Sequence, residues 1–485
     1  MVPRCAAVVA LAVSSLAALF AKATHADQPK LIAIGSVPGI YEDFSAQTAG
    51  LLENGVPGNR LGGLGSGLTW IGGHTFLGLP DRGPNAVAFN PCTDDTVAYI
   101  TRFHTLHLSL SPADPGAKLP YTLTPMVVGT TLLSSRRPLA YGAGCGLVGD
   151  GAPALNAIDH THYFTGRSDG FNPARLSTDP GNARFDPESI RVSNDRRRVY
   201  ISDEYGPYVY EFDRRTGERT DVFTLPVKFA ISKLSAVGNE EISGNTVGRV
   251  TNKGMEGLAI TPDGRTLVGA MQSPLIQDGG DNKGGVTRIV TIDIRTHRTK
   301  EYAYQLDMAT KTTVSDIVAI NDHQFLVDER DSKGRADATG SKAAFKKLFI
   351  VDLNGATDVS GITGVTSGKA NIAPFTLAKT LFLDIVSALT TDGGFDPTLI
   401  PAKIEGITFG PDLSTSNPLT HEIVTRHTLY IGNDNDFLAT LAPPVGIGDN
   451  PNQWFVFSFA DGDLPDFVPQ QFDRFDDDGH DGRGR

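Results

Sequence analysis

The sequence predicts an all-β fold in which one four-stranded unit repeats around a common axis, that is, a single β-propeller of about six blades. Composition is the first observation, since the 485 residues include 53 glycines and 30 prolines, as expected for many short strands joined by turns. The second is period-two alternation of apolar residues in short runs. The third is a short motif, here called the acidic phrase, in which an Asp or Glu is followed by an alternating apolar segment. Its acid recurs at positions 188, 256, 316 and 405, at intervals of 60 to 89 residues, which is the scale of a propeller blade with variable loops.

Each acidic phrase begins a hairpin with two alternating strands. In one copy, strand 189–193 is followed by the turn 194–197 and by strand 199–202; a later copy repeats this pattern with strands 258–261 and 266–269. The second strands end in polar residues, which are Asp203-Glu204, Gln272, Asp328-Glu329-Arg330 and Asn433-Asp434. A carboxylate at the same point of each hairpin predicts a ring of acids around the axis.

The region before Glu188 is predicted to hold two blades. Residues 62–85 match the later hairpins, with Ser66 at the position that elsewhere holds an acid. Roughly two blade lengths then remain, so we predict one degenerate blade that uses strands near 101–111 and 121–128. This gives about six blades, with five and seven as the alternatives. The propeller domain is predicted to span 27–470, and the Asp-, Gly- and Arg-rich residues 471–485 to form a disordered tail.

The N-terminus has the layout of a secretory signal peptide. Arg4 precedes an apolar stretch from Ala6 to Phe20, and small residues end at Ala26. The apolar stretch is too short for a comfortable membrane span, so residues 1–26 are predicted to be cleaved and the protein to be secreted or periplasmic. A retained N-terminal anchor helix is the alternative.

Cleavage would leave Cys92 and Cys145 as the cysteines of the mature chain. In an oxidising compartment they are predicted to form a disulfide, and the alternative is two separate buried thiols. The formal net charge of −12 disfavours nucleic acid as a partner and favours cations. We expect a monomer that acts on a small-molecule substrate.

The predicted ring of acids requires cations or protons, because neighbouring carboxylates raise one another's pKa. Oxygen ligands without His or Cys favour hard cations, and Ca²⁺ tolerates irregular geometry. The predicted calcium ligands are Asp81, Glu188, Asp203, Glu204, Glu256, Asp328, Glu329, Glu405 and Asp434. Asp316 and Asp436 are further candidate members of the ring.

The acidic pairs at the ends of two second strands are the predicted catalytic residues. Neighbouring strand residues point to opposite faces, so a role in locking the blades together explains such pairs less easily than it explains the single acids. These residues are Asp203, Glu204, Asp328 and Glu329. Bases in the same segments are predicted to bind the substrate, namely Arg82, Lys253 and Arg330. Two plainer interpretations stay open: the acids accept backbone N–H bonds that lock adjacent blades, and the bases neutralise them in salt bridges.

Four longer motifs carry a family resemblance. They are FDPESI at 185–190, SDEYGP at 202–207, NKGMEGLA at 252–259 and KIEGIT at 403–408. With these motifs the chain resembles the phytase-like family, described as having esterase-like activity of phytase, a group of exported bacterial β-propeller proteins. The resemblance covers about residues 60–460 and implies ester or phosphoester hydrolysis with calcium. The DADDPA-type calcium segment of the alkaline β-propeller phytases is absent from this chain.

Other catalytic signatures are absent from the sequence, including GxSxG, HExxH and the P-loop. The expected function is therefore an exported hydrolase, a Ca²⁺-dependent phosphoesterase or esterase that acts on small phosphorylated or ester substrates. Two alternatives are a non-catalytic propeller that binds a ligand or an envelope partner, and a Ca²⁺-dependent lactonase.

Overall fold

A computed structural model of the chain describes residues 28–84, 93, 97–142, 151–280, 285–337, 339–364, 370–416, 423–443 and 446–473. The predicted signal peptide, both cysteines of the predicted disulfide and residues 474–485 of the predicted tail lie outside the described residues. Within the described ranges, no helix is long and apolar enough to cross a membrane.

The described strands confirm an all-β propeller, and their main sheets are five four-stranded antiparallel blades. The first strand, β1 (Lys30–Val37), precedes blade 1, which contains β2 (Gly67–Gly72), β3 (Thr75–Leu79), β4 (Arg102–Pro112) and β5 (Tyr121–Leu132). A connecting segment holds β6 (Ser134–Ser135), α1 (Leu155–Asp159) and β7 (His162–Tyr163). Blade 2 follows with β8 (Pro187–Val192), β9 (Arg198–Asp203), β10 (Tyr208–Asp213) and β11 (Arg219–Thr224).

The remaining blades follow the same order from the axis outward. Helix α2 (Gly238–Gly244) precedes blade 3, with β12 (Met255–Ile260), β13 (Thr266–Met271), β14 (Val286–Asp293) and β15 (Thr299–Gln305). Blade 4 has β16 (Thr313–Ala319), β17 (Gln324–Arg330), β18 (Lys346–Asp352) and β19 (Lys379–Asp384), and helix α3 (Ile385–Thr391) follows. The last strands are β20 (Ile404–Phe409), β21 (Leu413–Ser416), β22 (Ile423–Asn433), β23 (Thr440–Leu441), β24 (Gly448–Asp449) and β25 (Asn452–Phe459). Short 3₁₀ helices lie at Ala46–Thr48, Val227–Phe229, Ile276–Asp278 and Ala373–Phe375.

The ring is closed by a strand from each end of the described chain. Blade 5 consists of β20, β22, β25 and β1 in that order, and β21 pairs with β22 at its margin. Strand β1 pairs antiparallel with β25, with Leu31 opposite Phe457. The innermost strands β2, β8, β12, β16 and β20 pack against one another around the axis.

The hydrophobic core is divided into apolar layers between neighbouring blades. One layer joins Leu79 of blade 1 to Ile190 of blade 2, and another joins Val268 of blade 3 to Phe325 of blade 4. Similar layers lie between the other neighbouring pairs. Burial of apolar surface on both faces of each sheet therefore fixes the ring.

The blade count is five among the described residues, so the prediction of about six was wrong. Residues 101–111 and 121–128 do not start a degenerate blade. They lie in β4 and β5, the outer strands of blade 1, and β4 pairs with β3. The described part of 133–186 is a connecting segment with only two-residue strands.

Residues 460–473, the C-terminal segment, cross the face of the propeller where the first and second strands of the blades are joined. The backbone N–H of Val468 donates to the carbonyl of Ile320 at 2.8 Å, and that of Gln471 donates to Pro262 at 3.1 Å. The N–H of Asp473 donates to the carbonyl of Asn194 at 2.9 Å. The segment therefore connects blades 4, 3 and 2 at the end of the axis opposite the recurrent acids.

Candidate active site

A β-bulge near the start of the innermost strands sets the direction of the recurrent acids. The register shifts lie between Pro187 and Ile190, Met255 and Gly257, Val314 and Asp316, and Ile404 and Ile407. A bulge bends its strand and redirects the side chain. The bulges of blades 2, 3 and 5 carry Glu188, Glu256 and Glu405, which all face the open end of the axis.

The glycine that follows two of these acids has a steric cause. A Cβ atom on Gly257 would lie 2.9 Å from the backbone of Asp316, and one on Gly406 would lie 2.8 Å from the backbone nitrogen of Leu68. Such contacts are too short for any larger residue without a shift of the backbone. Glycine thus lets neighbouring innermost strands approach each other directly below the glutamates.

A cavity of about 450 Å³, here called the mouth cavity, opens at this end of the axis and receives side chains from all five blades. The bulges contribute Glu188, Glu256 and Glu405. The ends of the second strands contribute Asp81 after β3, Glu204 after β9, Gln272 after β13 and Arg330 at the end of β17. The other charged residues of the lining are Arg82, Lys253, Asp307, Lys311 and Lys403.

Burial raises the pKa of four carboxyl groups of the mouth cavity, and neighbouring acids add to the effect. Burial and the neighbouring Glu256 hold the pKa of Glu188 well above its usual range. Burial, Glu204 and Glu405 do the same for Glu256. The pKa of Glu204 is raised to about 7 by burial and by Asp186, and burial also raises that of Glu405 to about 7. The cavity therefore favours protons or a bound cation near neutral pH.

Two basic side chains of the mouth cavity, Arg330 and Lys403, are paired with acids. Arg330 Nη2 donates to Glu405 Oε1 at 2.5 Å, and Lys403 Nζ donates to Asp434 Oδ2 at 2.7 Å. Lys403 also pairs with Asp436. These pairs agree with the simpler interpretation of the bases, while Arg330 and Lys403 still line the cavity.

Two groups of three acids have the geometry to hold a metal ion, because their ligand oxygens lie within 4.8 Å of one another. The groups are Asp186, Glu188 and Glu204, and Asp81, Asp434 and Asp436. The second group already contacts the ammonium of Lys403. In the first, Arg82 pairs with Asp186 and its Nη1 lies 3.6 Å from Glu204, whereas Glu188 has no ion pair among the described residues.

Two predicted metal ligands, Glu329 and Asp203, instead accept hydrogen bonds from protein groups near the ends of their strands. Glu329 accepts hydrogen bonds from Tyr304 Oη at 2.7 Å, from the backbone N–H of Asp307 at 2.6 Å, from Thr312 Oγ1 at 2.5 Å and from Lys379 Nζ at 2.6 Å. Asp203 Oδ1 accepts the backbone N–H groups of Asp186 at 3.1 Å and Tyr205 at 2.9 Å. Neither carboxylate lines the mouth cavity.

Asp328 is also outside the mouth cavity. It is fully buried in blade 4, and neither of its oxygens has a hydrogen-bond partner among the described residues. Burial, opposed by Arg330, holds its pKa well above the usual range. The structure therefore brings Glu204 together with the bulge glutamates, and leaves Asp203, Asp328 and Glu329 outside their group.

Asp316 lies one position beyond the acid site of the other blades. In register, Ser315 corresponds to Glu256, and Asp316 corresponds to Gly257. The Asp316 carboxylate accepts the backbone N–H of Leu258 at 3.3 Å and that of Ile407 at 2.9 Å. It is thus a hydrogen-bonded group on the axis, below the mouth cavity.

Arg191 pairs with Asp316 on the axis, and we call this pair of residues the axial lock. Arg191 Nη2 donates to Asp316 Oδ2 at 2.9 Å. Its two Nη atoms also donate to backbone carbonyls of blades 1, 2, 4 and 5, which are those of Leu68 (2.8 Å), Ile190 (2.7 Å), Ile317 (2.8 Å) and Ile407 (3.3 Å). With the Leu258 contact, the pair reaches all five blades.

Eight of the residues that line the mouth cavity are among those predicted from the sequence, and others are not. The eight are Asp81, Arg82, Glu188, Glu204, Lys253, Glu256, Arg330 and Glu405. The missed residues include Lys403, which lines the cavity, and Asp186, which joins a possible metal group. Each stands two residues before a bulge glutamate. This shared spacing is the sequence pattern from which both residues could have been predicted.

The fold and the cavity define a five-bladed β-propeller with a carboxylate-rich site at one end of its axis. The chain belongs to the phytase-like family, whose model, described as esterase-like activity of phytase, matches residues 59–437. An uncharacterized secreted protein from Arthroderma benhamiae is 26% identical over an alignment of 392 residues, and the match covers 70% of this chain and 70% of that protein.

Two solved structures are remotely similar to the chain. A luciferin-regenerating enzyme is 8% identical with a TM-score of 0.30, covering 85% of this chain and 97% of that one. A putative 6-phosphogluconolactonase from Bacteroides uniformis is 13% identical with a TM-score of 0.29, covering 88% and 99%.

Proposed function

We propose that the mouth cavity is the active site of an exported, metal-assisted hydrolase of small esters or phosphoesters. One observation carries the proposal: buried acids with raised pKa and basic side chains from all five blades meet in a cavity of about 450 Å³, a size suited to a small molecule. The family description as esterase-like activity of phytase supports the reaction class. The secreted relative supports export.

Asp186, Glu188 and Glu204 would hold a hard divalent cation, and calcium is the candidate. Their oxygens are close enough to share one ion, and Glu204 Oε1 is buried without a hydrogen-bond partner among the described residues. A carboxylate-only donor set fits such a cation. Bound there, the cation would polarise an ester or phosphoryl oxygen of the substrate.

Arg330 and Lys403 would bind the anionic part of the substrate on the other side of the cavity. Arg330 keeps one donor for this purpose, because its Nε is buried and has no hydrogen-bond partner among the described residues. A charge-assisted hydrogen bond to a phosphate or carboxylate oxygen would orient the substrate.

Glu256 and Glu405 are the proposed proton-transfer residues. Glu405, with its pKa raised to about 7, would accept a proton from the attacking water at neutral pH. Glu256, whose pKa burial and its neighbours hold higher, would keep its proton and donate it to the leaving oxygen. Two carboxyl groups whose pKa values differ supply the acid and the base of a hydrolysis.

The test is calcium titration of the chelator-treated protein by calorimetry, together with assays of p-nitrophenyl phosphate and p-nitrophenyl acetate with and without calcium. We expect saturable calcium binding and turnover that EDTA abolishes. Glu188→Gln should weaken calcium binding and turnover at least tenfold. Glu218→Gln, which changes an acid on the outer part of blade 2 that pairs with Arg136, should leave both unchanged.

Two results would contradict the proposal. Calcium binding that Glu188→Gln does not weaken would remove the metal assignment. Calcium binding without turnover of either ester would leave a ligand-binding propeller and remove the hydrolase.

A further inference from the structure

A second cavity lies at the end of the axis opposite the mouth cavity, and we call it the rear cavity. Its volume is about 320 Å³. Most of its wall is apolar and comes from the far ends of innermost strands and from the C-terminal segment. The apolar residues of this wall include Trp70, Ile260, Val318, Phe409, Phe467 and Phe472.

The C-terminal segment forms one side of the rear cavity and is fixed in place. The ring of Phe472 packs edge-on against Trp70 of blade 1, with centroids 5.7 Å apart. The ring of Phe467 lies 4.4 Å from that of Phe409 of blade 5. Gln470 Nε2 donates to the carbonyl of Val192 at 2.8 Å. Together with the backbone hydrogen bonds of this segment, these contacts hold the wall against all five blades.

Arg191 belongs to both the axial lock and the lining of the rear cavity. Its Nη atoms donate to backbone carbonyls and to Asp316, but its Nε has no hydrogen-bond partner among the described residues. The side chain is only 3% exposed. A buried donor left without a partner is costly, so this atom favours a ligand that brings an acceptor.

We propose that the rear cavity binds a small amphiphile with one apolar ring or short apolar chain and a single hydrogen-bond acceptor. The aromatic wall selects the apolar body, and Arg191 Nε donates to the acceptor. The volume lies at the lower end of the range of about 300 to 1,000 Å³ for ligand pockets, which restricts the ligand to roughly monocyclic size. The axial lock separates this site from the mouth cavity, so the proposal is independent of the proposed hydrolase.

The first test is calorimetric or ligand-observed NMR titration of the full chain with two probes of one shape. The probes are 4-tert-butylbenzoate and tert-butylbenzene, which lacks the acceptor. Saturable binding of the benzoate is expected, at least tenfold tighter than that of the hydrocarbon. Absence of saturable binding would overturn the site, and equal affinities would overturn the role of Arg191.

Variants distinguish the rear cavity from the bases of the mouth cavity, which could also attract a carboxylate. Ala319→Phe places a ring inside the rear cavity, whose lining includes Ala319, and should weaken benzoate binding at least tenfold. Arg330→Gln, which removes a base of the mouth cavity, should leave benzoate binding unchanged. Loss of binding in Arg330→Gln, or its persistence in a folded Ala319→Phe, would overturn the proposal.

Thermal melting shows whether each variant is folded. If Ala319→Phe does not fold, Phe472→Ala takes its place, because Phe472 lies in the C-terminal segment outside the blades. Removing this ring opens the wall and should weaken binding several-fold. Unchanged binding in Phe472→Ala would then overturn the proposal.

Discussion

Glu256 and Asp316 stand at adjacent register positions of the innermost strands, yet their surroundings are opposite. Both are almost fully buried, at 3% and 0% exposure. Asp316 accepts hydrogen bonds from Arg191 and from the backbone of two other blades. The pKa of Glu256 is raised by burial and by the neighbouring Glu204 and Glu405. Asp316 thus has its counter-ion, Arg191, within the chain, whereas Glu256 has other acids as its nearest charged neighbours.

Glu241 shows that burial alone does not leave a carboxyl group with a raised pKa. Its carboxylate lies 2.8 Å from Arg249 Nη1 and 3.3 Å from Arg184 Nη2. Although burial raises the pKa of Glu241, the two guanidinium groups lower it to about 2. The chain therefore supplies enough cations to the buried Glu241, whereas Glu188, Glu204 and Glu256 of the mouth cavity are only partly compensated.

The largest expected effect follows from breaking the axial lock. Asp316→Asn leaves Arg191 buried without its counter-ion and turns an amide N–H₂ toward backbone donors. The free energy of unfolding should fall by about 3–5 kcal/mol, measured by urea denaturation. Glu218→Gln, which removes an exposed ion pair, should change it by less than about 1 kcal/mol. A loss below about 1 kcal/mol for Asp316→Asn would show that the lock does not hold the blades together.

The strands of the propeller could be predicted from the sequence, but their assignment to blades could not. Period-two alternation identifies the strands near 101–111 and 121–128, yet it does not show which strand each one pairs with. Strand β4 begins 23 residues after β3 ends, and this long connection made the outer half of blade 1 look like part of another blade. Pairing across such a connection depends on the packing of the whole ring.

The residues of the candidate site that could be predicted from the sequence are mainly those that recur from blade to blade. The return of Glu188, Glu256 and Glu405 at one point of the hairpin identified residues that share a cavity. The position of a bulge cannot be read from apolar alternation, so Ser315-Asp316 resembled the other acidic phrases although Asp316 is shifted by one place. Likewise, the sequence does not show that Glu329 meets four donors from neighbouring segments.

A change of pH should sharpen the contrast between the mouth cavity and Glu241. The pKa values of Glu204 and Glu405 are raised from 4.5 to about 7 in the folded chain, so the folded chain binds more protons than the unfolded chain between these values. Stability in EDTA should therefore fall by at least about 1–2 kcal/mol from pH 6.5 to 8. Asp203, whose pKa is raised to about 8 by burial, and Glu188 and Glu256, whose pKa values burial holds well above the usual range, add to the same slope. Glu241 contributes no slope there, since its stabilisation is lost only as pH falls from 4.5 through about 2.

Urea denaturation at several pH values checks this slope. The window starts at pH 6.5 because buried His104, whose pKa burial lowers to about 4, gives the opposite slope between pH 4 and 6.5. Glu204→Gln should make the slope shallower, because it removes one of the carboxyl groups that produce it. A wild-type stability that is constant or rises between pH 6.5 and 8 would contradict the raised pKa values of the mouth cavity.

The smallest effect is expected from Glu256→Gln, which makes in the mouth cavity the same acid-to-amide change as Asp316→Asn in the axial lock. In EDTA at pH 8 it should raise the free energy of unfolding by up to about 1 kcal/mol, because it removes one of several mutually repelling carboxyl groups and an amide can keep the hydrogen bond to Gln272. At pH 5 the gain should shrink, because the raised pKa of Glu256 favours its protonated, uncharged form as pH falls. Urea denaturation at both pH values measures the difference. A loss of stability at pH 8 would mean that Glu256 holds neighbouring blades together as Asp316 does, and the contrast between the two adjacent positions would disappear.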